Sequence, residues 1–176
     1  MVATVIENRA KKIFNNFDID QDGSITKHDF DLMAKRLIDA LDIQSSSAQG
    51  RGVADSYTKV WEELQRQADT NGNGHVTAEE YAAVFGTKDF VKVLDQASDA
   101  EFKAADTDGD GVLSQHELRR MLEAYGVPSS EIDNAVQALD QDGDGRISRQ
   151  EYRDAWHGYY TDPNVDTPVN KALGRI

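Results

Sequence analysis

The chain has 176 residues, of which 39% are hydrophobic, so it is long enough to bury the core of one compact domain or of two small lobes. Its formal net charge is −13, so we expect no nucleic-acid partner. The sequence has no cysteine, which excludes disulfides and thiolate metal sites. Its apolar runs are too short for a membrane span or a signal peptide, so we expect a cytoplasmic protein without a membrane partner. We also expect a monomer.

The first acidic loop spans residues 18–29, between two segments whose apolar residues recur with helical spacing. Oxygen-bearing groups stand at positions 1, 3, 5, 7 and 12 of this stretch: Asp18, Asp20, Asp22, the Ser24 carbonyl and Asp29. A cation of calcium's size takes about six to eight oxygens at about 2.3 to 2.6 Å, and a loop with this spacing can supply them. Gly23 makes the sharp turn. Because Asp29 is one methylene shorter than the usual Glu, we expect magnesium to compete with calcium here.

A second loop of the same kind spans residues 69–80, after a longer connection. The connection, residues 42–53, is rich in Ser, Gln and Gly, which predicts a flexible surface segment. The ligand candidates of this loop are Asp69, Asn71, Asn73, the His75 carbonyl and Glu80. Since only two of these side chains are charged, we expect the loop to be the weakest calcium site.

Residues 87–100 have a helical pattern of their own, with Phe90, Val91 and Leu94 on one face. We predict a connecting helix there, which favours compaction of the two halves of the chain over a long straight rod.

The third and fourth loops, residues 106–117 and 140–151, have the most acidic sets of ligand candidates. Those of the third are Asp106, Asp108, Asp110, the Val112 carbonyl and Glu117, and those of the fourth are Asp140, Asp142, Asp144, the Arg146 carbonyl and Glu151. Beyond the helix that follows the fourth loop, residues 161–176 form a tail that is either disordered or packed on the body. Its apolar residues are Val165, Val169, Leu173 and Ile176.

All four loops match the EF-hand calcium loop. A single Asp-Gly run is also typical of a turn that binds no metal. Here, however, each loop has a hydrophobic residue at position 8: Ile25, Val76, Leu113 and Ile147. A short antiparallel contact between adjacent loops would bury these residues in pairs.

We therefore predict an all-α EF-hand fold of two helix-loop-helix pairs, residues 1–86 and 101–160, packed compactly, with short β contacts between paired loops. Three to four calcium ions are expected. Four divalent cations add eight positive charges and would leave a net charge of about −5, so we expect the empty form to be the looser one.

The segment from Ile13 to Leu37, the long gap before the second loop, the mid-chain helix and the tail together resemble the calerythrin and sarcoplasmic calcium-binding protein family, over essentially the whole chain. The spacing of the loops and the closing Asp29 are the specific part of the likeness. The resemblance implies a compact, all-helical protein with four EF-hands that buffers cytoplasmic calcium and magnesium. Relatives commonly have a degenerate second loop, whereas residues 69–80 are intact, so the family's count of three ions does not carry over directly.

Three functions fit these features. The first is a calcium buffer or transport protein, favoured because sensors use Met-rich surfaces and this chain has three Met, one of them the initiator. The second is a calcium sensor that exposes an apolar groove to a partner helix. The third, more remote, is a calcium-regulated small-ligand protein, like the photoproteins of similar architecture. Its cavity would be lined by Trp61, Trp156, His157, Tyr159 and Tyr160, for which core packing is the alternative.

No catalytic site is expected. The four histidines are scattered along the chain, without a Ser or Cys partner at a recognisable spacing. The acidic residues are concentrated in the loops, which leaves no carboxylate pair for acid–base chemistry.

Overall fold

Helices make up most of the part of the chain that the structure describes. The computed structural model describes residues 2–163 and 167–172, with side chains over residues 5–163 and 167–170. The helices in these ranges are α1 (Val2–Phe17), α2 (Lys27–Ala40), α3 (Ala48–Ala68), α4 (Ala78–Val84), α5 (Lys88–Ala105), α6 (Gln115–Ala124), α7 (Ser129–Leu139), α8 (Arg149–Thr161) and α9 (Pro168–Ala172). The strands are β1 (Val112–Ser114) and β2 (Arg146–Ser148). Over these ranges, no helix combines the length and the apolar character needed to cross a membrane.

Adjacent loops are joined through their position-8 residues, as predicted. Ile25 and Val76 exchange two backbone hydrogen bonds of 2.9 Å, and β1 and β2 pair antiparallel with Leu113 opposite Ile147. All four side chains are buried, with at most 1% of their surface exposed. Burial of these cross-strand neighbours ties each loop to its partner.

The connection between the first two loops is more ordered than its composition predicts. Helix α3 begins at Ala48, inside the segment expected to be flexible, because the Ser47 side chain accepts a hydrogen bond of 3.0 Å from the Gly50 amide. Gly50 is buried, and a Cβ there would lie 2.5 Å from the Gln44 carbonyl oxygen. The glycine therefore permits close packing of backbone rather than flexibility.

Helix α5 crosses the boundary that we placed between residues 100 and 101. It runs without interruption from Lys88 to Ala105, so one helix both connects the halves and leads into the third loop. Its buried stripe continues through Ala97, Ser98 and Glu101 to Phe102, which keeps the helical period intact across the boundary. The division into pairs remains a prediction.

One hydrophobic core extends through both halves of the described chain. Helix α5 packs against α3 on one side and α8 on the other, and α2 packs against α6. The Arg120 guanidinium donates a hydrogen bond of 2.8 Å to the Ala40 carbonyl at the end of α2. The rings of Phe85 and Tyr160 meet edge to face, with centroids 5.9 Å apart. The prediction of a compact, all-α fold with short β contacts between adjacent loops is confirmed.

The tail is tied to the first helix through Arg9, which is fully buried. Its guanidinium lies 5.0 Å from the ring centroid of Tyr159 and donates to the carbonyl oxygens of Tyr159 and Asp162 and to the Thr167 hydroxyl. Helix α9 then packs on α7 and α8, with Val169 only 1% exposed, so Val169 packs on the body as one alternative predicted. The other three apolar tail residues lie outside the described residues: Val165, Leu173 and Ile176.

Candidate metal centre

Each loop opens with an aspartate that immediately follows the end of the incoming helix. The two oxygens of each of these carboxylates accept hydrogen bonds of 2.8 to 3.1 Å from two backbone amides further along the same loop, the second being that of the central glycine. The four pairs are Asp18 with Asp22 and Gly23, Asp69 with Asn73 and Gly74, Asp106 with Gly109 and Gly111, and Asp140 with Gly143 and Gly145. These bonds wrap the backbone around the first carboxylate.

Positions 3 and 5 make the same local turn in every loop. One side-chain oxygen accepts from the backbone amide two residues further on, at 2.8 to 3.2 Å, which is the Asx-turn geometry. The acceptors at position 3 are Asp20, Asn71, Asp108 and Asp142, and those at position 5 are Asp22, Asn73, Asp110 and Asp144. Since Asn accepts as well as Asp, the second loop keeps the same fold with less charge.

The closing acid of each loop joins the loop's start to the helix that follows it. In the third loop, Glu117 accepts from the Thr107 amide at 2.8 Å with one oxygen and from the Ser114 amide at 2.9 Å with the other. Asp29 does the same in the first loop, accepting from Ile19 at 3.0 Å and Thr26 at 2.8 Å. The shorter side chain therefore still reaches both ends of its loop.

The closing glutamates of the third and fourth loops, Glu117 and Glu151, are held in their charged form. Burial raises the pKa of Glu117, but hydrogen bonds from Thr107 and Ser114 outweigh burial and bring this pKa down to about 2. Glu151 has a lowered pKa for the same reason, with Ser148 as the main donor. Both residues thus present full negative charge to a cation at neutral pH.

The central glycines adopt the backbone conformation that the loop pattern requires. The φ angles of Gly23, Gly74, Gly111 and Gly145 lie between 78° and 89°. Position 4 is also left-handed in the first loop, where Gln21 has φ 60°. A positive φ is unusual for a residue other than glycine. The position of the central glycine in the sequence does not predict the left-handed backbone at Gln21.

Three loops bring carboxylate oxygens together closely enough to share one cation. Within each group the oxygens lie within 4.8 Å of one another, and the groups are Asp18, Asp20 and Asp22; Asp106, Asp108 and Glu117; and Asp140, Asp142 and Glu151. Convergent hard oxygen donors are the ligands that calcium and magnesium prefer. The residues therefore fit a divalent cation, and the Asn side chains of the second loop add neutral oxygens at the same offsets.

A family model described as an EF-hand domain pair matches residues 7–86 and 95–156, which cover all four loops. The chain belongs to this EF-hand family. Calcium binding is the function that this membership supports.

Relatives of this EF-hand protein agree with the resemblance that the sequence showed. Calerythrin from Saccharopolyspora erythraea is 23% identical over 142 residues, which cover 77% of this chain and 80% of that protein. A sarcoplasmic calcium-binding protein beta chain from Penaeus sp. is 30% identical over 130 residues, 64% of each chain. The solved structure of a Streptomyces coelicolor calcium-binding protein has a TM-score of 0.80 and 32% identity, and the match covers 90% of this chain and 99% of that one. The resemblance to the calerythrin and sarcoplasmic calcium-binding protein family is thus confirmed.

Side chains also connect the two EF-hand loops of each pair. Arg146 was expected to contribute only its carbonyl, yet its guanidinium donates a hydrogen bond of 2.8 Å to Asp110, at position 5 of the neighbouring loop. In the first pair, the Ser24 hydroxyl lies 3.0 Å from the Nδ1 atom of His75. Both contacts join residues far apart in sequence, so ligand offsets within one loop do not predict them.

The role of position 9 in starting the outgoing helix was missed, although the sequence carries its signal. Thr or Ser there starts the outgoing helix and pairs with the closing acid three residues later, which is the capping box. In the fourth loop, Ser148 accepts from the Glu151 amide at 3.2 Å, and Glu151 accepts from the Ser148 amide at 2.8 Å. Thr107, at position 2, is a further support of this kind, because its hydroxyl donates to Glu117 at 2.7 Å.

Proposed function

We propose that this EF-hand protein is a calcium buffer whose four loops bind the ion through their acidic and carbonyl oxygens. The ligands in this proposal are Asp18, Asp20, Asp22, Ser24 and Asp29; Asp69, Asn71, Asn73, His75 and Glu80; Asp106, Asp108, Asp110, Val112 and Glu117; and Asp140, Asp142, Asp144, Arg146 and Glu151. Loops 1, 3 and 4 are the strong sites and loop 2 is the weak one, because only two of its ligands carry charge. The protein acts as a cytoplasmic monomer, without catalysis and without a nucleic-acid or membrane partner.

The observation that carries the buffering role is the shared core. A sensor must expose an apolar groove when it binds calcium. Here apolar residues of the two EF-hand pairs are buried against each other, since Phe85 of the first pair and Tyr160 of the second are both buried with their ring centroids 5.9 Å apart. Met121 is fully buried in the same core. Opening a groove would require separation of the two halves, with the loss of this burial.

A regulatory role is the second candidate, and one observation favours it. The Streptomyces coelicolor protein, 32% identical, is described as acting in prokaryotic calcium-mediated regulation. If that role extends to this chain, calcium must change a surface that a partner recognises.

Calcium-dependent binding of 1-anilinonaphthalene-8-sulfonate separates the two candidates. For a buffer, we expect the fluorescence of this dye to stay level or fall as calcium is added to the chelated protein, because loading tightens the fold. Magnesium at equal concentration is the parallel control. A calcium-specific rise in dye fluorescence would replace the buffer proposal with the sensor.

Lengthening the closing acid of the first loop tests the proposed competition by magnesium. Asp29→Glu should raise the preference of this loop for calcium over magnesium roughly tenfold, about 1.4 kcal/mol, because a second carboxylate oxygen reaches the larger ion. Competition titration of calcium in millimolar magnesium measures the ratio. Asp31→Glu, an exposed change on the same helix where Asp31 pairs with Lys27, is the matched control. Equal selectivity of the two variants would reject the argument from side-chain length.

A further inference from the structure

A cavity of about 250 Å³ lies between the two halves of the protein. Its walls come from the end of α1 and from α2, α3, α5, α6 and α8, so both EF-hand pairs contribute. Aromatic rings supply much of the lining: Phe17, Phe30, Tyr57, Tyr125, Trp156 and Tyr160. An engineered apolar cavity of about 150 Å³ binds benzene, so this volume has room for one or two fused rings.

Of the five residues that we predicted to line a small-ligand cavity, only some line this one. Trp156 and Tyr160 line it, as expected. Trp61 instead packs against Phe30, with ring centroids 6.1 Å apart, and His157 pairs with Asp95 at 3.0 Å. Tyr159 lies under the Arg9 guanidinium.

The cavity wall includes a buried carboxyl group that metal binding does not use. Glu101 is 9% exposed and stands on α5, outside the four loops. Its two oxygens accept hydrogen bonds from the Tyr57 hydroxyl at 2.6 Å and the Tyr152 hydroxyl at 3.2 Å. Burial raises the pKa of Glu101 and outweighs the hydrogen bonds that lower it. An ionisable group placed in an aromatic cavity costs stability unless it is fully partnered.

The Tyr125 hydroxyl lies beside Glu101 without a well-aligned hydrogen bond among the described residues. It is buried in the same electrostatic cluster as Glu101. A carboxylate also has about four acceptor positions, more than the hydroxyls of Tyr57, Tyr125 and Tyr152 around it can occupy. The cavity therefore offers an incoming molecule both an acceptor and a hydroxyl, in a setting that is otherwise mostly aromatic and aliphatic.

We propose that this cavity binds a small, flat, uncharged aromatic molecule of one or two rings that carries a hydroxyl or ring N–H group, with Glu101 as the acceptor for that donor. Rings of the ligand pack between those of Phe30 and Trp156. An anionic ligand is disfavoured, because the two carboxylates that line the cavity, Glu101 and Asp18, outnumber the one guanidinium in its lining, that of Arg36. This site goes beyond calcium buffering and does not depend on it.

The test is fluorescence titration of the full chain with 2-naphthol, in saturating calcium and again with chelator. We expect 1:1 saturable binding of 2-naphthol. 2-Methoxynaphthalene, which lacks the donor, and naphthalene-2-sulfonate, which is an anion, should each bind at least about tenfold more weakly. Absence of saturable 2-naphthol binding in both metal states, or equal affinity for the methoxy compound, would overturn the proposal.

Two variants and one control variant locate the site. Ala97→Leu on α5 fills the cavity and should abolish binding of both neutral probes, whereas Ala83→Leu, an exposed change on α4, should leave binding unaltered. Glu101→Gln keeps the volume and should weaken 2-naphthol about tenfold without affecting 2-methoxynaphthalene. Calcium titration of each variant shows whether metal binding persists, so failure of the cavity proposal is distinguishable from failure of the buffer. Unchanged 2-naphthol binding in both Ala97→Leu and Glu101→Gln would contradict the assignment.

Discussion

Removal of calcium is expected to lower the free energy of unfolding by roughly 8 kcal/mol, since each of three strong sites contributes about 2.7 kcal/mol when free calcium is 100 times its dissociation constant. The physical cause is twofold. Bound calcium stabilises only the folded loops, and chelation leaves carboxylates such as Asp106, Asp108 and Glu117 within 4.8 Å of one another without a cation between them. For a chain of 176 residues, the melting temperature should fall by about 20 °C.

Thermal unfolding followed by circular dichroism, at a series of buffered free calcium concentrations, measures this effect. Sodium chloride at matched ionic strength is the control, because simple screening of the −13 net charge would also raise the melting temperature to some extent. Magnesium should give a smaller rise. A melting temperature that is independent of calcium would contradict binding at these loops.

Neutralising a closing glutamate is expected to weaken calcium binding at its own loop about a hundredfold, which corresponds to about 2.8 kcal/mol. Glu117→Gln and Glu151→Gln each keep the side-chain length but remove the charged carboxylate that supplies two oxygens to the ion. Calorimetric titration should show one strong site fewer in each variant and two fewer in the double variant.

Glu123→Gln is the matched control, because Glu123 is exposed on the same helix as Glu117 and lies outside the loop. The hydrogen bonds from Thr107 and Ser114 to Glu117 are also weakened when the carboxylate becomes an amide. Melting curves in chelator measure that separate cost. Unchanged stoichiometry and affinity in Glu117→Gln and Glu151→Gln would show that the ligand assignment is wrong.

The loops could be read from the sequence because the interactions that shape them are local. Asp106 accepts from Gly111 only five residues away, and Asp110 accepts from Val112 two residues away. Oxygen positions and turn glycines within one loop therefore determine its backbone with little help from the rest of the chain. Loop pairing could be read as well, since Leu113 and Ile147 have no reason to be apolar in an acidic loop unless they are buried together.

Composition was a poor guide where packing decides the backbone. Ser and Gly in residues 42–53 predicted flexibility, but Ser47 caps a helix and Gly50 is needed for a close backbone approach. Propensity treats both residues as helix-unfavourable, and capping and tertiary contact override it. We also placed a boundary between residues 100 and 101, inside the continuous helix α5. The regular helical spacing of its apolar residues gives no local sign of where the connecting segment ends and the second pair begins.

The sequence by itself determined that this protein has four EF-hand loops and which apolar residues pair between loops. Only the tertiary structure decided how the halves meet. Three features depend on contacts between residues 36 to 158 positions apart in the sequence. They are the burial of Arg9 under the tail, the contact of Arg146 with Asp110, and the enclosure of Glu101 by tyrosines in a central cavity. Ligand spacing within a loop is set by bonds over a few residues, whereas burial of a charge depends on which distant helices pack around it.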